Sequence, residues 1–164
     1  MFNVLIVEDE PNNLESIRRA LIDFGKFNNG EIFPGILEQQ EYVNTIIGYA
    51  EKNLVSELRE YIGEKIDSFN IDVLVVDLRL SAEGNDNINE SEGMKLIEAL
   101  RKDTQTKNVP IVIFSALGSL NNITINTTYS HIYVLGKPAM VTTNNVSNVL
   151  NEVMEKVIQP IIEA

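Results

Sequence analysis

Apolar residues fall along this chain in two rhythms. Four short runs rich in β-branched residues lack polar alternation: "NVLIV" (3–7), "DVLVV" (72–76), "VPIVIF" (109–114) and "HIYVL" (131–135). Such runs suit parallel strands covered on both faces. Between them the spacing changes to threes and fours. Leu14, Ile17 and Leu21, extended by Ile22 and Phe24, predict a helix that Gly25 stops. Met94, Leu96, Ile97 and Leu100 predict a second over 93–103, and Val146, Val149, Leu150, Val153, Met154 and Val157 a last one. Residues 36–67 carry the longest stripe: Val43, Ile46, Ile47, Ala50, Leu54, Leu58, Tyr61 and Ile62. This reads as one long amphipathic helix, or two broken near Gly48. A weak strand is expected at Glu31–Phe33, before Pro34-Gly35. Strand and helix alternating in this order predict an α/β domain with a parallel sheet. The polar, acidic stretch 81–93 reads as a loop.

Composition narrows the function more than the fold. A length of 164 residues suits one domain, spanning 1–164, and 44% hydrophobic content supplies a core. With 24 acidic against 13 basic residues the net charge is −11, which argues against nucleic acid or an anionic membrane surface as partner. Cations and basic protein surfaces fit better. The absence of cysteine excludes disulfides, zinc–thiolate sites and thiol nucleophiles. "MFNVLIV" lacks a basic region before it and runs straight into Glu8-Asp9-Glu10, unlike a signal peptide, so a cytoplasmic protein is expected.

In a parallel α/β sheet, ligands gather at the carboxyl ends of the strands. Here those ends deliver Glu8 and Asp9, then Asp77, then Ser115, then Lys137 followed by Pro138. Each has an ordinary explanation when taken alone. An aspartate after a strand is commonly a turn former, Glu8-Asp9-Glu10 could be the acidic start of a helix, Ser115 a cap, and Lys137 a solvated surface lysine. Together they place three carboxylates, a hydroxyl and an ammonium at one sheet edge. Carboxylates so close repel one another unless a cation neutralises them, and Mg²⁺ does so while leaving room for phosphate oxygens. Lysine and hydroxyl groups stabilise a phosphoryl group in transfer, and an aspartate can accept it as an aspartyl phosphate.

The chain resembles the receiver domain of two-component response regulators. The residues that carry the likeness are "VLIVEDEP", "VLVVDLRL", "EGMKLIEALRK", "IVIFSAL" and "VLGKPA", in that order along nearly the whole sequence. The resemblance implies a flavodoxin-like (CheY-like) three-layer α/β/α fold. Its five-stranded parallel sheet has the order 2-1-3-4-5, here with an extended helical insertion before the third strand. It implies a phosphorelay phosphoprotein in which Asp77 accepts a phosphoryl group from a sensor histidine kinase or His-phosphotransfer protein. Asp9 and Asp77 would ligate Mg²⁺, Arg79 would add its backbone carbonyl, and Glu8 would act mostly through metal-bound water. Lys137 would pair with a phosphoryl oxygen, and Ser115 would move in to bond another, switching the signalling face toward a downstream protein target. A cis Lys137-Pro138 peptide is expected. Such a domain is a self-phosphorylating and self-dephosphorylating switch rather than a turnover enzyme.

Several features depart from the family. The position three before the lysine, usually Tyr or Phe, is Val134, and Tyr133 should face the other way. The loop from Asp77 to Gly93 and the stretch between Asp9 and Asp77 are both longer than the family norm. Two surfaces are candidates for homodimerisation: the long helical stretch, and the face made by the family's fourth helix, fifth strand and fifth helix. The sequence to Ala164 leaves no room for a DNA-binding output domain, so the chain is expected either to act alone as a shuttle or relay receiver or to be the first domain of a longer chain, without direct nucleic-acid contact. The acidic charge and the lack of a long apolar run predict no membrane contact. Two alternatives stand beside this reading. One is a pseudo-receiver, an interaction module without the chemistry. The other is a haloacid-dehalogenase-type phosphatase, against which Arg79 stands where that family's second aspartate would be.

Overall fold

The computed structural model describes residues 3–23, 27–80, 91–116 and 131–137, with the backbone alone for residues 29, 116, 135 and 137. Five strands, β1 (Val4–Val7), β2 (Ile32–Phe33), β3 (Val73–Val76), β4 (Ile111–Ala116) and β5 (Ile132–Lys137), form one parallel sheet in the order β2-β1-β3-β4-β5. With helices packed around it, this is the α/β flavodoxin-like fold. Four helices are described: α1 (Pro11–Asp23), α2 (Gln39–Glu51), α3 (Val55–Ser68) and α4 (Glu92–Lys102). Every residue of β1 and β3 is buried, as expected of strands without polar alternation. The step from β1 to β2 runs opposite to the steps from β2 to β3 and β3 to β4. Right-handed crossovers therefore put α1 on one face of the sheet and α3 and α4 on the other.

The long stripe at 36–67 forms two helices, and the break lies at Asn53 rather than Gly48, which sits within α2. Asn53 adopts φ 55°, while the Leu54 N–H reaches back to the Tyr49 carbonyl at 2.9 Å and the Asn53 N–H to that of Ala50 at 3.1 Å. This is the left-handed helix stop usually made by glycine and sometimes by asparagine. Gly48 keeps an ordinary helical backbone, so its missing side chain alone does not end the helix. The same device ends α3, where Asn70 has φ 50° and the Ile71 N–H donates to the Ile66 carbonyl at 3.0 Å.

Both helices lie back on the domain. Val43, Ile46, Leu58 and Ile62 join β1, β3 and α4 in one apolar core. Across the α3–α4 seam Arg59 pairs with Asp103 at 2.5 Å, and Lys95 donates to the Asn53 side chain at 3.1 Å. Two arginines, Arg18 and Arg101, are buried, a place arginine takes only when partnered, and Arg18 pairs with Glu15 at 3.3 Å. Each also donates to backbone carbonyls. Arg18 donates to those of Ile32 and Pro34, and Arg101 to those of Thr106 and Val109, so each pins irregular chain at a strand boundary. Among the described residues no helix is long and apolar enough to cross a membrane. Of the loop expected at 81–93, Glu92 and Gly93 already belong to α4, which Ser91 caps, and residues 81–90 lie outside the described residues, as do the C-terminal helix and the Lys137-Pro138 peptide. The described cis peptide is Phe33-Pro34.

Candidate metal centre

The site follows from strand register. Val7 of β1 stands opposite Val76 of β3, so the two strands end side by side at the point where the winding direction of the sheet changes. The next residues are Glu8 and Asp9 on one strand and Asp77 on the other. Asp77 is fixed by its own backbone, whose N–H donates to the Val7 carbonyl at 2.9 Å. As a result Glu8, Asp9 and Asp77 each bring a carboxylate oxygen within 4.8 Å of the others. Glu8 is almost fully buried, while Asp9 and Asp77 are half-buried. Glu8 also accepts from the Glu10 N–H at 3.3 Å, where the chain turns into α1.

β4 continues past its pairing with β3. Ile113 is opposite Val76, and Ser115, two residues further along β4, is buried with its hydroxyl donating to Asp77 Oδ1 at 3.4 Å. Lys137 closes β5 opposite Ala116, next in register to the Ser115–Gly136 pair, so its backbone ends at this same sheet edge. Arg79 lies two residues beyond Asp77, with its side chain exposed between the fully buried Leu78 and Leu80. The main chain of residue 79 lies on the segment that follows Asp77. Val134 is 41% exposed and Tyr133 half-buried, as the pleat of β5 requires of adjacent residues.

The start of α4 forms the outer wall of the Asp77 corner. Ser91 caps the helix by accepting from the Met94 N–H at 3.3 Å. The Gly93 N–H donates to the Leu78 carbonyl at 2.8 Å. A Cβ at Gly93 would meet the Asp77 carbonyl oxygen and lie 2.5 Å from Leu78 Cα and 2.8 Å from Leu78 O. These neighbours are backbone and cannot swing aside. The sequence marks Gly93 as the start of a helix. Its role in admitting the Asp77–Leu78 main chain depends on a contact that no local pattern announces.

Carboxylates this close repel one another, and a cation among them would offset that repulsion. Two full charges 4.8 Å apart repel by about 3 kcal/mol at an effective dielectric near 20, and by less where water reaches them. Their oxygens are hard donors of the kind Mg²⁺ or Ca²⁺ takes. The cluster can therefore hold a metal ion.

No family model matches the chain, and no curated protein matches it. Its fold is similar to that of the crystal structure of a sensor protein from Polaromonas sp. JS666, with a TM-score of 0.58, 20% sequence identity and 98% of each chain covered. At that identity the likeness is one of fold.

Proposed function

We propose that this chain is a phosphoacceptor receiver domain that binds Mg²⁺ at Glu8, Asp9 and Asp77 and accepts a phosphoryl group on Asp77. The observation that carries the reading is the carboxylate triad at the β1/β3 switch point, with the Ser115 hydroxyl already on Asp77. A Mg²⁺ ion there would offset the charge of the carboxylates and of the incoming phosphoryl oxygens. In the transfer, an Asp77 carboxylate oxygen forms the bond to phosphorus as the bond to the donor's imidazole nitrogen breaks, and the freed imidazole takes up a proton. The Ser115 hydroxyl, which donates to Asp77 here, would donate to a phosphoryl oxygen, and Lys137 would supply the remaining positive charge from the end of β5. The Arg79 carbonyl completes the proposed ligand set. The phosphodonor is a phosphohistidine on a sensor kinase or phosphotransfer protein, and the output is a protein contact rather than a released product. The likeness in fold to a protein described as a sensor fits a signalling role.

Intact mass spectrometry after treatment with acetyl phosphate and Mg²⁺ tests the reading. The native chain should gain one phosphoryl group, and Asp77→Asn should gain none. Absence of any gain with several small phosphodonors, together with no Mg²⁺-dependent binding of a beryllofluoride mimic, would overturn it. Multiple turnover on phosphate monoesters would favour a phosphatase instead.

A further inference from the structure

We propose that the turn between β2 and α2 is a self-complementary surface through which two copies of this chain pair about a two-fold axis. The proposal rests on neither the metal nor the phosphoryl chemistry. Beside β2, at the edge of the sheet, lies a cavity of ≈170 Å³ walled by Leu5, Phe33, Pro34, Tyr42 and Phe69. The turn that follows holds Ile36, 60% exposed, and Leu37, 94% exposed, neither of which lines the cavity. Four large hydrophobic residues are exposed among the described residues, and three of them, Ile36, Leu37 and Phe69, lie on or next to this cavity. Isolated exposed leucines are ordinary, but a cluster around a hollow marks a contact surface.

Size and charge point to a second copy as the occupant. An apolar cavity of roughly 150 Å³ admits a benzene molecule, so this one has room for the four side-chain carbons of a leucine. Leu37 cannot serve its own cavity from a fully exposed position, yet it sits two residues from Gly35 on the lining. A two-fold axis passing between knob and hollow would seat each Leu37 in the other copy's cavity, the reciprocal arrangement an isologous interface requires. The same hollow is flanked by one charge of each sign, the Glu38 carboxylate and the Lys65 ammonium. Among the described residues these two form no ion pair with each other. Lys65 lies over the Tyr61 ring at 5.0 Å, and Glu38 acts on Arg18 only through space. A two-fold rotation would bring Glu38 of each copy toward Lys65 of the other.

The mass of the full chain in solution, measured by light scattering or sedimentation across a concentration series without any phosphodonor, decides the matter. The native chain should approach twice its monomer mass. Leu37→Asp should stay monomeric with an unchanged circular dichroism spectrum, since the side chain it replaces touches solvent. Glu38→Lys alone should also be monomeric, and adding Lys65→Glu to it should restore the dimer, which a merely structural role for either residue would not do. A native chain that is monomeric throughout, a mass that climbs past the dimer as head-to-tail contacts would make it, a dimer that survives Leu37→Asp, or a charge reversal that is not rescued would each overturn the proposal.

Discussion

The carboxylate crevice and the cavity beside β2 belong to the same sheet, yet they are built from different parts of the chain. At the crevice the shape is set by main chain. Asp77 hangs from the Val7 carbonyl, Gly93 from that of Leu78, and the α4 terminus leaves no space for a Cβ. Beside β2 the walls are largely side chains, those of Leu5, Phe33, Tyr42 and Phe69, with the long Glu38 and Lys65 chains at the rim. Main chain locked by hydrogen bonds can hold like charges together against their repulsion, which a metal site requires. Side-chain ends can rearrange around whatever docks on them. The contrast predicts that the same kind of substitution will act very differently in the two places.

Two glycines make the sharpest version. Gly93→Ala would press a methyl into the Asp77–Leu78 main chain, and a cost of about 3 kcal/mol is expected, at the upper end of overpacking effects. Gly35→Ala also meets a close neighbour, but that neighbour is the carboxylate end of Glu38, with the next atom at 3.5 Å. A freely rotating side chain can turn away, so a cost below about 1 kcal/mol is expected there. Urea midpoints of the two variants should differ by most of this gap. Equal losses would mean that the crevice yields as readily as the edge.

Arg18 comes next. Burial lowers its pKa, and the Glu15 carboxylate, 3.3 Å from Nε as an ion pair, works in the opposite direction, as does Glu38 more weakly. Arg18→Met keeps the length and removes the donors to the Ile32 and Pro34 carbonyls and to Gln39. Leaving buried acceptors without those donors should cost roughly 2 kcal/mol. Lysine should not rescue it, because one ammonium cannot span the acceptors that a planar fork reaches. If Mg²⁺ binds as proposed and the two regions are independent, the rise in melting temperature on adding it should be the same in Arg18→Met as in the native chain. A changed response would show that the β2 edge supports the crevice after all.

The difference between the regions also explains what could be read from the sequence. Strands without alternation announced the sheet, and residues at strand ends announced the triad, because a parallel sheet delivers all its carboxyl ends to one side. Glu8, Asp9, Asp77 and Ser115 are brought together as that rule requires, and the backbone of Lys137 reaches the same edge. The helix break was harder to place. Glycine suggested it at 48, but the left-handed conformation fell to Asn53, which local composition marks less clearly. Arg18 was illegible for a different reason. It lies on a helix face beside Leu14, Ile17 and Leu21, and only the arrival of β2 and Pro34 in space gives a buried charge its acceptors. The cavity likewise depends on how α2 and α3 leave the β2 edge, which no periodicity encodes.

The Tyr42 side chain links the cavity to the strand that leads into the crevice, and its variant should have a small effect at neutral pH. The ring lines the cavity while the hydroxyl donates to the Ile6 carbonyl at 2.6 Å, in the strand that delivers Glu8 and Asp9. Tyr42→Phe should cost about 1 kcal/mol, the worth of a single hydrogen bond. Its pH dependence is more telling. Burial pushes the Tyr42 hydroxyl well above its ordinary value of 10.0. An unfolded chain would release this proton near that value while the folded chain keeps it, so the stabilisation is whole below pH 10.0 and falls as pH rises beyond it. The phenylalanine variant should therefore lose stability less steeply above that pH, closing on the native chain and then matching it. Tyr61 is raised too, chiefly by burial, so some alkaline slope should persist in the variant. Urea midpoints that stay parallel as the pH climbs would place the alkaline loss elsewhere. A Mg²⁺ response that weakens in Tyr42→Phe would mean that the β1 end of the crevice leans on this hydroxyl, and that backbone alone does not hold the triad.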